Sequence, residues 1–199
     1  MSYTQEHLRE TVAILQLLDV AAVERIVNLL AQIKAAAGRI FFLGVGGGAG
    51  NCSHAVSDFR KLLGIECYAP TDNVSELTAR VNDEGWESAF VEWLKVSRLS
   101  DRDAVFVLSV GGGDRAAGVS VNLVAAVDHA RTVGAKVIGI VGRDGGHTAR
   151  LADASVIVPS VNPHTVTAHT EALQAVIWHL LASHPQLKAR EAKWESMGK

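Results

Sequence analysis

Apolar residues recur along this chain with two spacings, one typical of helices and one typical of buried strands. Residues 4–18 and 20–37 carry apolar side chains three and four positions apart, as amphipathic helices do, and Thr4 and Asp19 are expected to be their N-caps. Short, nearly continuous apolar runs predict five strands, at 39–43, 65–69, 103–110, 135–141 and 155–159.

Strands that alternate with helices are typical of an α/β fold. A helical pattern follows each of the first four strands, and a last one covers 168–184. We therefore predict a three-layer, doubly wound parallel sheet of the flavodoxin or Rossmann type, preceded by two helices. The 199 residues suffice for one core. We divide this single domain into a helical pair (1–38), an α/β core (39–184) and a charged, loosely packed tail (185–199).

Composition narrows the classes of partner. The formal net charge of −2 gives no electrostatic reason to expect nucleic acid or an anionic membrane as a partner. No apolar run approaches about 18 residues, so no membrane span is expected. The first residues lack the pattern of a secretory signal, and we expect a cytoplasmic protein. Two cysteines, Cys52 and Cys67, provide neither a disulfide framework nor a cysteine-based zinc pattern.

A glycine-rich turn occurs twice, each time directly after a strand. Val45–Gly48 and Val110–Gly113 both read Val-Gly-Gly-Gly, and we expect a helix after each. Such turns direct backbone N–H groups at an anion, so the two loops predict one ligand-binding crevice. Valine in place of Gly47 or Gly112 should block the ligand without unfolding the domain. The candidate contacts here are Gly46, Gly47, Gly48, Asn51, Ser109, Gly111, Gly112, Gly113 and Asp114.

The first loop also matches a dinucleotide-binding fingerprint. Gly44–Ala49 satisfies the G-x-G-x-x-A pattern, and Glu66 follows Gly46 at the interval of a ribose-binding acid. Glu66 falls inside the predicted strand rather than at its end, and two helices precede the first strand. We therefore expect no nucleotide cofactor.

The order and spacing of these motifs resemble sugar isomerase (SIS) domain proteins, and within them the phosphoheptose (sedoheptulose 7-phosphate) isomerases. The resemblance covers almost the whole chain. Its further motifs are Thr71-Asp72-Asn73-Val74, Asn82-Asp83, Val141–Gly146 and Val158-Pro159. It adds Asn82 and Asp83 to the candidate substrate contacts, with a sugar phosphate as the ligand. It also implies a homo-oligomer, most simply a tetramer.

The resemblance implies aldose–ketose isomerisation through an enediol, with Asp58 as base and His179 as acid. The family's His-x-x-x-Glu pair is His54-x-x-x-Asp58 here, and its Gln and His eight residues apart correspond to Glu171 and His179. His54, Asp58, Glu171 and His179 would together suit zinc or a similar divalent ion. On the residues alone, His179 could equally be a core histidine. His169 and Gln174 are nearby substitutes.

Two departures from the family pattern leave rival functions open. The family's second loop is rich in hydroxyls, whereas only Ser109 remains here and Asp114 adds a negative charge. The catalytic Glu is shortened to Asp58. One rival is a non-catalytic SIS module that binds a sugar phosphate or a protein partner. Another is an enzyme of this fold whose substrate has no phosphate.

Overall fold

Parallel strands form the centre of the computed structural model, which describes residues 1–197. The strands are β1 (Ile40–Gly44), β2 (Cys67–Tyr68), β3 (Ala104–Ser109), β4 (Lys136–Val141) and β5 (Ala154–Ile157). They form one five-stranded sheet in the order β2-β1-β3-β4-β5, and every pair is parallel. The α/β class and the doubly wound parallel sheet are thereby confirmed.

Helices cover both faces of the sheet. They are α1 (Tyr3–Leu17), α2 (Val20–Ala35), α3 (Gly47–Asp58), α4 (Val74–Glu84), α5 (Ser88–Val96), α6 (Val121–Thr132), α7 (Gly146–Leu151), α8 (Val166–Ser183) and α9 (Lys193–Ser196). Successive side chains of β1 point to opposite faces. Ile40 and Phe42 pack in the core beneath α2, α3 and α8, whereas Phe41 and Leu43 pack beneath α5 and α6.

The helix that follows β1 differs from the expected one at both ends. It begins at Gly47, within the glycine loop, because Gly46 adopts a φ of +58° that lets the chain turn directly out of the strand. After Asp58 it widens into a π-helical turn over Phe59–Leu63, which ends at Gly64 in the left-handed conformation. Asp58 therefore lies at the junction of the two helical forms, a position often found at functional sites.

The second glycine loop does not lead directly into a helix, and that expectation is wrong. Asp114 and Val119 pair through two backbone hydrogen bonds of 2.8 and 2.9 Å, and Asp114 Oδ1 accepts from the Ala117 N–H at 3.0 Å. This closed turn delays α6 until Val121. The two glycine loops are thus locally different structures.

The chain ends differ from each other in how they pack. α1 buries only Glu10 and Ile14, and leaves most of its apolar stripe at the surface. The tail is less loose than expected, because Leu187 is fully buried and the N–H groups of Ala189 and Arg190 donate to the Leu62 carbonyl. Residues 198 and 199 of the predicted tail lie outside the described residues.

None of the helices within residues 1–197 combines the length and the apolar character needed to cross a membrane.

Candidate active site

Three of the four predicted metal ligands meet between α3 and α8. His54 and Asp58 lie one turn apart on α3, so that both side chains share one face. His179 comes from the facing part of α8. Each of these residues offers a ligand atom, and these atoms all lie within 4.8 Å of one another.

A hydrogen bond determines which ring nitrogen of His179 carries the proton. Its Nδ1 lies 2.8 Å from the Ala175 carbonyl oxygen, which can only accept. In the neutral ring Nδ1 therefore carries the proton, and Nε2 keeps its lone pair. That Nε2 lies 3.8 Å from Asp58 Oδ2, and half of the His179 side chain is exposed. The exposure argues against the core-histidine interpretation, whereas the hydrogen bond to a backbone carbonyl is one that a core histidine would also make.

An aromatic ring supports the histidines. Trp178 is fully buried, and its ring meets that of His54 edge-on at 4.6 Å between centroids. The rings of His54 and His179 are nearly perpendicular, with centroids 5.3 Å apart. Fixed rings of this kind lose little freedom when they bind a ligand.

The donor chemistry of this group fits a divalent metal such as Zn²⁺. Two imidazoles and one carboxylate are the protein ligands of many catalytic zinc sites, which keep a further position open. The hydrogen bond from His179 to Ala175 is the type of outer contact that orients a ligating histidine.

Among the described residues, Glu171 does not lie with His54, Asp58 and His179. Only three of the four predicted metal ligands therefore meet within one chain. The physical reason is the position of Glu171 on α8, two turns before His179 and about 12 Å from it along the helix axis. Its carboxylate lies instead against Gly47, where an added Cβ would collide with both carboxylate oxygens. The substitute ligand His169 belongs to a different cluster, with His7 and Glu10.

Two lysines that were not among the predicted site residues lie beside this group. Asp58 and His179 line a pocket of about 260 Å³ together with Lys61 and Lys188, and with Glu195 on α9. Lys61 follows Asp58 by one helical turn, a spacing from which the sequence could have predicted that the two side chains are neighbours. Lys188 comes from the tail, and no local pattern could have placed it there. Lys188 is paired with the Glu191 carboxylate. Asp58 and Glu195 also line the pocket, so the lysines offset these negative charges rather than make the pocket positive.

The first glycine loop is open to ligands on one side only. An added Cβ at Gly46 would meet open space, whereas one at Gly48 would collide with the Leu108 carbonyl oxygen. Asn51, a predicted substrate contact, donates from Nδ2 to the Glu171 carbonyl and to Gln174 Oε1, both at 3.0 Å. Its amide thus ties α3 to α8.

The second glycine loop is filled by the turn between β4 and α7. The carbonyl of Gly112 accepts from the N–H and the hydroxyl of Thr148, at 2.9 and 2.7 Å. The Ser109 hydroxyl accepts from the Gly112 N–H at 3.0 Å. An added Cβ at Gly112 would collide with the Gly145 carbonyl. The expectation that Gly112→Val leaves the fold intact is therefore wrong.

Among the remaining predicted contacts, Asp114 is exposed, Gly111 is half-buried and Gly113 is buried. Gly111, Gly113 and Asp114 line a pocket of about 390 Å³, together with a residue that sequence reasoning missed, Arg143. Arg143 has a φ of +54°, which is uncommon for a residue other than glycine.

Asn82 and Asp83 lie apart from the glycine loops in sequence, in the last turn of α4. Both are exposed, and Asn82 Nδ2 donates to Asp83 Oδ1 at 2.7 Å.

Comparison with known proteins identifies a sugar isomerase (SIS) domain. The solved phosphoheptose isomerase GmhA from Neisseria gonorrhoeae superposes with a TM-score of 0.79 over 90% of this chain and 95% of that one, at 24% identity, a likeness of fold. Phosphoheptose isomerase of Paramagnetospirillum magneticum is 32% identical over 177 residues, 85% of each chain. The chain belongs to the phosphoheptose isomerase family, a family of aldose–ketose isomerases.

A third relative is longer. Lincomycin biosynthesis protein LmbN of Streptomyces lincolnensis is 31% identical over 164 residues, which are 77% of this chain but only 58% of that protein. The chain thus spans less than two thirds of this relative. No family model matches the sequence.

Proposed function

We propose that this chain is a phosphosugar aldose–ketose isomerase that acts on sedoheptulose 7-phosphate or a related sugar phosphate. The observation that carries the proposal is the convergence of His54, Asp58 and His179 beside a pocket that Asp58 and His179 line. Asp58 supplies a carboxylate, and His179 supplies a ring nitrogen with a free lone pair. A carboxylate and a ring nitrogen of this kind can move the protons of an enediol isomerisation.

The proposed reaction interconverts aldose and ketose through an enediol. Asp58 removes the proton from the carbon next to the carbonyl, and returns it to the neighbouring carbon. His179 Nε2 takes a proton from the hydroxyl that becomes the new carbonyl, and delivers it to the oxygen that becomes the new hydroxyl. The separation of 3.8 Å between Asp58 Oδ2 and His179 Nε2 lets both groups contact adjacent substrate atoms.

His54, Asp58 and His179 would hold a divalent ion in this site. His179 would then bind the ion through Nε2, because Nδ1 donates to Ala175, so Nε2 carries the hydroxyl proton only when no ion is bound. When bound, such an ion polarises the substrate's oxygens and stabilises the negative charge of the enediol. Asp58 has two carboxylate oxygens, so one can bind the ion while the other accepts the substrate proton and returns it. Glu171 joins these ligands only if its side chain leaves Gly47.

Solvent exchange tests the proposal directly. We expect the wild-type protein in D₂O to place deuterium on the sugar next to the carbonyl, since the enediol exchanges its proton with solvent, as NMR of sedoheptulose 7-phosphate would record. Asp58→Asn should lower the rate of isomerisation by at least about 100-fold and abolish exchange. Ser57→Ala, an exposed neighbour on α3, is the matched control. Full activity in Asp58→Asn would refute the role of Asp58.

One observation favours a second function, that of a binding module without turnover. In the second glycine loop the Gly112 N–H donates to the Ser109 hydroxyl and the Asp114 N–H donates to the Val119 carbonyl, so these two donors are not available to a phosphate. A sugar phosphate that raises the melting temperature but is neither isomerised nor deuterated by the wild-type protein would support this alternative.

A further inference from the structure

A second cluster of titratable side chains joins the first helix to the start of α8. His7 and Glu10 lie three residues apart on α1, and His169 lies in the first turn of α8. Their possible ligand atoms lie within 4.8 Å of one another. None of them belongs to the candidate active site.

Glu10 is held as a charged carboxylate at the centre of this cluster. Its side chain is only 8% exposed. Asn162 Nδ2, Thr165 Oγ1 and His169 Nε2 lie 2.6, 2.9 and 2.8 Å from its oxygens. Hydrogen bonds from Asn162 and then His169 lower the pKa of Glu10 to about 2, outweighing the effect of burial. The cluster is therefore negatively charged before any cation enters it.

His169 lies between Glu10 and Thr11. Its Nε2 lies 2.8 Å from Glu10 Oε2, so the neutral ring can donate its proton to that carboxylate. Its Nδ1 lies 3.5 Å from the Thr11 hydroxyl, which donates to the His7 carbonyl at 3.0 Å. A metal ion would take the place of the Nε2 proton between His169 and Glu10.

His7 supplies the observation that favours a metal ion. Its Nδ1 is buried without a hydrogen-bond partner, although buried nitrogen atoms normally have one. Its ring stacks on that of His169, with centroids 4.2 Å apart and planes 24° from parallel. A proton between Glu10 and His169 gives His7 no role, whereas a metal ion would use it as a third ligand.

We propose that His7, Glu10 and His169 form a second site for a divalent metal of the zinc class, separate from the candidate active site. Two imidazoles and a carboxylate suit such an ion and leave a position for water. The site borders a pocket of about 230 Å³ that His7 and Glu10 line. His7 must turn away from the stacked arrangement, and the contact between Glu10 and His169 must widen by about 0.5 Å to admit an ion with ligands at about 2 Å. The bound ion clamps α1 to α8.

The experiment isolates this site from the candidate active site. The double variant His54→Ala/His179→Ala removes two ligands of the active site and serves as the background. After treatment with chelator and dialysis against micromolar Zn²⁺, we expect about one ion per chain in this background. Co²⁺ should give the visible absorption of a tetrahedral or five-coordinate site. Adding His7→Ala or His169→Ala should weaken binding by at least about ten-fold.

A matched control and two opposing outcomes complete the test. His184→Ala also removes a histidine 3.8 Å from a carboxylate, that of Glu24, but this pair has no third ligand among the described residues, and binding should not change. A background variant that binds no Zn²⁺ would overturn the proposal. Unchanged binding in the folded His7→Ala variant would do so too. Because metal content is the measurement, loss of isomerase activity has no bearing on the result.

Discussion

At the scale of single residues, Glu171 places a negative charge where the first glycine loop would receive an anion. Its carboxylate lies against Gly47, at the positive end of α3. A carboxylate at a helix N-terminus is stabilised by the helix dipole, and it repels a phosphate that approaches the same place. Glu171 and the substrate's phosphate should therefore compete.

We expect Glu171→Gln to lower the KM for sedoheptulose 7-phosphate by about five-fold or more, because the change removes one like charge from a partly buried position. The effect should shrink at high ionic strength. Glu24→Gln, which removes the same charge from the exposed face of α2, should leave KM unchanged. A higher KM in Glu171→Gln would mean that Glu171 binds the substrate or a metal instead.

Residue spacing predicted some of this site and could not predict the rest. His54 and Asp58 face the same way because any helix brings positions four apart together. Glu171 does not join them because its carboxylate lies against Gly47, at the start of α3. That contact depends on how α8 packs against α3, two helices that are far apart in the sequence. Glu10 and His169 are 159 residues apart in the sequence, and only the finished fold brings them together.

At the scale of elements, the second glycine loop is a packing contact between two turns. Gly112 has a φ of +67°, and its missing side chain lets the Gly145 carbonyl approach. The Thr148 hydroxyl and N–H then bind the Gly112 carbonyl. The loop after β3 is thereby fastened to the loop after β4, at the edge of the sheet where ligands of such folds bind.

Gly112→Val should destabilise the protein by about 2–3 kcal/mol or more, because it adds backbone strain to a steric collision. Urea or thermal unfolding monitored by circular dichroism would measure the loss. Gly111→Val is the matched control, since an added Cβ there meets only the Arg143 side chain, at 3.9 Å. Equal stability of the two variants would contradict the packing role of Gly112.

The strands were predictable from the sequence where their hydrophobicity alone identified them. The apolar runs of β1, β3 and β4 are buried on both faces, so their hydrophobicity alone marked them as strands. The delayed start of α6 was not predictable, because residues 114–120 close on themselves through hydrogen bonds that leave no trace in hydrophobic periodicity.

At the scale of the whole molecule, the two parts of the predicted ligand site lie far apart within one chain. Gly47 begins α3 and Asp58 ends it, a separation of about 16 Å along the helix axis. The first glycine loop and the proposed acid–base pair, Asp58 and His179, therefore cannot both contact the reacting end of one small sugar. A second copy of the chain could bring its own loop to the acid–base pair.

The surface of α1 also favours a second copy. Leu8, Val12 and Leu15 lie on one helical stripe, and 60%, 54% and 43% of each residue is exposed. A stripe of this kind is typical of interfaces between subunits. We expect a homo-oligomer, most simply a tetramer, whose mass light scattering would measure at micromolar concentration.

The double variant Leu8→Glu/Val12→Glu should shift the wild-type mass toward that of the monomer, since charged residues resist burial between subunits. Thr78→Glu, on the exposed side of α4, adds a charge outside the stripe and should not change the mass. A monomeric wild-type protein under these conditions would rule out the oligomer. If assembly completes the active site, the α1 variant should also lose isomerase activity as its mass falls, and dilution of the wild-type protein should lower its specific activity in parallel with dissociation.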